Sequence, residues 1–115
     1  MQLQLPMLTY YVGPRLVPQD VVAGVATYRD AVRLCWQLRL RTSLTRRALA
    51  EEAGLYASHV SDYLSELEIK RDLPAKHIAA MEVACGNRVI TQWLAAQANL
   101  TILEQYIQPQ QREAA

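Results

Sequence analysis

A chain of 115 residues with 51% apolar and 20% charged positions holds material for one small domain with a single core, and too little for a large multidomain enzyme. No run approaches the roughly 18 apolar residues of a bilayer span. Residues 1–14 lack the basic start and cleavage site of a signal peptide, so the sequence reads as cytoplasmic. The net charge of +1 conceals a polarity: residues 1–50 hold seven Arg against two Asp, and the remainder five basic against nine acidic residues. A basic half can face a polyanion even when the whole chain is near neutral.

Residues 1–17 alternate unevenly and carry Pro6, Gly13 and Pro14, which suits an edge strand or an ordered arm. From Pro18 the pattern turns helical, with apolar residues at Val21, Val25, Tyr28, Ala31, Leu34, Cys35 and Leu38, and with Gly24 as a point of kinking or splitting. Arg29, Arg33, Gln37 and Arg41 follow at four-residue steps, forming a mostly basic stripe opposite that arc. As an ordinary pattern this is a solvated face; beside a nucleic-acid-binding element, Arg29 and Arg33 become phosphate contacts.

Thr45 is placed to cap a short helix, Arg46 to Ala53, which Gly54 ends in the left-handed conformation. A second short helix follows, apolar at Val60, Tyr63, Leu64 and Leu67 and polar at Ser58, Ser61, Asp62 and Ser65. Glu68 to Asp72 reads as a charged connector. Asp72 or Leu73 then caps a helix with Pro74 in its first turn, apolar at Ile78, Met81 and Cys85 and stopped by Gly86. Asn87 restarts the chain into a helix that offers Ile90, Trp93, Leu94 and Leu100 to the core. Residues 100–107 fit a strand and a helix equally well, and the end of the chain reads as a frayed tail. The organisation is thus an arm or strand over 1–17, a helical domain over 18–99, and a C-terminal oligomerisation segment with its tail over 100–115.

The informative stretch is RRALAEEAGLYASHVSDYLS, residues 46–65. Small Ala50 lets two helices approach, Gly54 four residues later permits the turn, and β-branched Val60 follows six beyond it. Leu49, Ala53, Leu55, Val60 and Tyr63 make an apolar seam with the rest of the core. This arrangement resembles the helix-turn-helix of lambda-repressor-like phage and prophage regulators of the Cro and CII type. More loosely, the segment LPAKHIAAMEVACGNRVITQWLA looks like the region that follows the motif in CII-like regulators.

The resemblance implies a mainly α, five-helix helix-turn-helix domain, with short terminal strands or arms. It also implies that the second motif helix enters the major groove, so that Tyr56, Ala57, Ser58, Ser61, Asp62 and Ser65 face base edges. Arg46 and Arg47, at the start of the first motif helix, would meet phosphate, and Lys70 and Arg71 would extend that strip. The reading face has no Arg, Lys, Asn or Gln, so selectivity would draw on arms, DNA shape and half-site spacing. One short helix reads few bases, which implies a dimer or higher oligomer. The apolar ends, Leu3 to Val12 and Ile102 to Ile107, are candidates for holding two chains together.

Other notable residues have ordinary explanations. His59 flanks the reading face, either beside a phosphate or packed on its helix. His77 has no second ligand at helical spacing, and Trp36 and Trp93 suit core or dimer contacts. Cys35 and Cys85 lie far apart without a CxxC pattern and read as buried reduced thiols. The sequence has no Gly-rich phosphate loop and no nucleophile with a nearby base, while adjacent Glu51 and Glu52 point in different directions around a helix. Neither an enzyme, a cofactor, a metal nor a small-molecule ligand is expected. The competing function is a protein-interaction module, an adaptor or inhibitor whose uncharged Ser-rich face docks a partner protein.

Overall fold

The computed structural model describes residues 13–99. Expectations for the first twelve residues and for the C-terminal oligomerisation segment lie outside the described residues. The elements are α1 (Gln19–Ala23), α2 (Tyr28–Gln37), α3 (Arg46–Ala53), α4 (Ala57–Tyr63), a 3-10 turn (Ala75–His77), α5 (Ile78–Cys85) and a helix α6 across 89–99. Among the described residues, strand-like pairing is confined to one parallel bridge between Arg15 and Asn87. No helix there is long and apolar enough to cross a membrane.

The helical stretch from Pro18 is split, and the split changes which residues are buried. Thr27 is extended and its hydroxyl accepts from the Asp30 amide at 3.1 Å, so α2 starts afresh with its own cap. The restart resets the helical phase. Val22 and Val32 are buried, whereas Val21 and Leu38, expected on the apolar arc, are about two-fifths exposed. The side chain of Arg39 then closes the end of α2 by donating to the carbonyls of Trp36 and Leu44 at 3.1 Å, its guanidinium stacked 4.0 Å over the Trp36 ring.

The core forms where α3 packs on α4 and α5, and where α2 packs on both of those helices. Leu49, Val60, Met81, Val89 and Ile90 are its fully buried anchors. Cys35 on α2 and Cys85 on α5 are buried free thiols. The hydrogen bond with Cys85, reinforced by burial, pushes the Cys35 thiol far up and keeps it protonated.

The start of α6 is organised by polar groups inside the protein. Gly86 ends α5 at φ +79°, and a Cβ there would lie 2.8 Å from the Leu40 side chain. Buried Asn87 donates to the Cys35 carbonyl at 2.9 Å. Fully buried Glu82 accepts from the Thr91 amide and hydroxyl at 2.9 and 2.6 Å, satisfying donors at the start of α6. The extended residues preceding Pro18 are tied to the same place. Arg15 exchanges backbone hydrogen bonds with Gly86 and Arg88, and the Gln92 amide brackets the Val17 backbone at 2.8 Å on both sides.

Candidate nucleic-acid interface

The α3–turn–α4 unit follows local chemistry. The Thr45 hydroxyl accepts from the Ala48 amide at 3.1 Å, capping α3, and Gly54 closes it at φ +70°. Nothing lies within 4 Å of a Cβ built on Gly54, so the glycine answers a backbone requirement and not a steric one. The Ala50 carbonyl accepts the amides of both Gly54 and Leu55, turning the chain toward Tyr56. The seam expected from sequence, Leu49, Ala53, Leu55, Val60 and Tyr63, is buried throughout, as is Ala50 at the helix crossing.

The outward face of α4 is shorter than the sequence implied. Tyr56 precedes the helix and is 73% exposed, and Ala57, Ser58 and Ser61 are exposed after it. The helix ends at Tyr63 because the chain leaves the core after Leu64. Leu67, expected on its buried face, is therefore 56% exposed. Ser65 lies beyond the helix, where its hydroxyl accepts from the Leu67 amide at 3.1 Å in a local turn. Nor does Asp72 cap the following helix: Pro74 precedes the 3-10 turn without a side-chain cap, and Asp72 pairs with Arg29.

The basic stripe of α2 is not a free surface. Arg29 is 6% exposed, and its guanidinium donates to the carbonyls of Asp62 (2.7 Å), Ser65 (3.1 Å), Lys70 and Arg71 (3.2 Å), besides pairing with Asp72 at 2.9 Å. It is a structural hub and not a surface phosphate contact, because the end of α4 and the returning connector surround it with acceptors. Arg33 pairs with Glu66 at 3.1 Å and lies 3.7 Å from Asp30. Arg41 lies past the end of α2, paired with Glu52 at 2.8 Å and donating to the Ala84 carbonyl. These partners neutralise the stripe.

Among the cations left facing solvent, Arg46 and Arg47 lie at the start of α3 and Lys70 in the connector, while Arg15 and Lys76 are exposed elsewhere. Arg46 and Lys70 are exposed and make no ion pair among the described residues, and Arg47 only approaches Glu51 at 3.8 Å. Arg71 is different. Its Nε donates to Asp62 Oδ2 at 2.9 Å, and its Nη1 lies 2.8 Å from His59 Nε2. The His59 ring in turn meets Tyr56 edge-on at 5.1 Å and Tyr63 at 6.3 Å. Tyr56, His59, Arg71 and Asp62 thus form one continuous row along α4. Sequence reasoning put Asp62 on the reading face and His59 beside it, but no local spacing signals an arginine nine residues past Asp62.

The chain matches no family model, no curated protein and no solved structure.

Proposed function

We propose that this protein is a sequence-specific DNA-binding transcription regulator of phage or prophage type. It uses α3 and α4 as a lambda-repressor-like helix-turn-helix and binds double-stranded DNA as a homodimer or higher oligomer. The observation that carries this reading is the capped, glycine-closed α3, with Arg46 and Arg47 at its start, followed after three residues by a short helix whose outward face is small and polar. Two exposed arginines on the first turn of α3 suit phosphate, to which backbone N–H groups at a helix start add their own attraction. Ser58, Ser61 and Ala57 leave room for a base edge to approach, and Tyr56 offers an exposed ring and hydroxyl at the helix entrance. No catalytic role, cofactor or metal belongs to this reading, and the compartment it implies is the cytoplasm.

The competing reading, a protein-docking module, draws on one observation. Asp62 is neutralised by Arg71, so the outward face of α4 is nearly uncharged. Duplex DNA separates the two. Fragments selected from a random duplex library should share a consensus built of two related half-sites, and binding should weaken steeply with salt because phosphate contacts release counterions. Absence of any salt-sensitive duplex binding would overturn the proposal in favour of protein docking. Ser61→Ala should reorder the preferred sites more than it changes binding to unrelated DNA.

A further inference from the structure

We infer that Arg71, delivered to the reading helix from the connector, is the residue that reads a guanine, with Asp62 and Arg29 as its positioning residues. The inference rests on the DNA-binding reading above and names the element of specificity that α4 itself lacks. The helix Ala57–Tyr63 contains no side chain able to make a bidentate contact with a base. The connector returns along it and supplies one.

Arg71 is held at both ends. Its backbone carbonyl, with those of Asp62, Ser65 and Lys70, accepts from the buried Arg29 guanidinium, so the connector and the last turn of α4 are fixed to a single group. Its side chain is fixed by the Asp62 carboxylate at Nε, 2.9 Å away, and by the His59 ring beside Nη1. A free arginine loses much rotamer freedom on binding, whereas this one is already oriented. Its Nη2 makes no hydrogen bond among the described residues, and the side chain is 54% exposed. Each terminal nitrogen carries two N–H bonds, so with Nε on the carboxylate and one Nη1 proton toward His59, Nη1 and Nη2 can still offer one N–H apiece along the far edge of the fork. That pair matches the O6 and N7 acceptors of guanine in the major groove.

The same geometry argues against a simple phosphate contact. Pairing with Asp62 cancels most of the charge that would attract phosphate, yet leaves the directional donors in place. Arg46, Arg47 and Lys70, whose charges are not cancelled by a close partner, suit phosphate better.

The test is selection from a duplex library with about 20 randomised base pairs, applied to the full chain and to Arg71→Lys, Arg71→Ala and Asp62→Asn, each first shown by circular dichroism to melt cooperatively. The wild type should yield a guanine at one position of each half-site. Arg71→Lys keeps the charge but loses the fork, and should lower affinity for that site by about 10- to 100-fold while changing binding to unrelated duplex by less than about threefold. Asp62→Asn should relax preference at the same position and tighten nonspecific binding. A consensus unchanged in Arg71→Lys would overturn this assignment alone. So would an equal loss at every sequence in Arg71→Ala, the signature of a phosphate contact. A wild type that binds no duplex would remove the DNA-binding reading itself, and this assignment with it.

Discussion

Replacing Arg29 by Met removes a buried guanidinium but keeps an unbranched apolar stem. Hydrogen bonds from a charged donor are worth ~1.5–3 kcal/mol each, so the four carbonyl contacts amount to ~6–12 kcal/mol before any opposing cost. Taking the guanidinium out of water costs several kcal/mol, and the orphaned carbonyls can recover some water beside the exposed Asp72. The net loss should therefore resemble that of breaking a buried ion pair, about 3–5 kcal/mol. Against a total of about 5–15 kcal/mol for a small domain, this is a large fraction. With a urea slope of about 1–2 kcal/mol/M, the unfolding midpoint should fall by about 1.5–5 M. Arg29→Lys, a compact head that cannot span all four acceptors, should recover part of the loss. Arg33→Met is the control: its partners are exposed carboxylates, and it should cost less than about 1 kcal/mol. Equal, small shifts for Arg29→Met and Arg33→Met would refute the reasoning that the guanidinium fastens α4 to the connector.

Arg46→Ala with Arg47→Ala should weaken binding to every duplex and flatten its salt dependence by about one to two counterions, measured by fluorescence anisotropy across a salt series. Gly54→Ala and Gly86→Ala should separate backbone strain from steric clash. Both residues have positive φ, costing about 1–2 kcal/mol for alanine, but only Gly86 also meets a side chain, so its variant should melt lower in calorimetry. Tyr28, whose hydroxyl donates to the Leu73 carbonyl at 2.8 Å, has its pKa pushed up from 10 to about 12, by burial first and then by the charges of Asp72 and Glu82. Because the folded state favours the neutral phenol, its contribution is complete below pH 10 and is lost as pH rises toward 12; Tyr28→Phe should flatten that part of a stability–pH curve recorded by urea titration.

What the sequence determined by itself is local. Thr45 before an eight-residue helix, Gly54 after it and Gly86 after α5 are read correctly from one sequence because each answers a backbone requirement within one turn: an orphan N–H to cap, or a positive φ that other side chains resist. The seam from Leu49 to Tyr63 is legible for a related reason, since its spacing sits inside two short helices whose phase the caps define. The failures arise at breaks between elements and at contacts made by packing. Four residues between α1 and α2 reset the helical phase, so Val22 replaces Val21 in the core and Leu38 emerges from it. The Arg29 to Arg41 row looked like a solvated stripe because a polar residue at a polar spacing is ordinarily exposed. Only the packing of α2 against α4 encloses Arg29 among four carbonyls, and only the end of α2 at Gln37 turns Arg41 toward Glu52. The placement of Arg71 beside His59 and Asp62 likewise depends on the return path of the connector. Caps and glycines act through neighbours in the chain, whereas a guanidinium's partners are whatever acceptors the fold brings within 3 Å, and that choice belongs to tertiary structure.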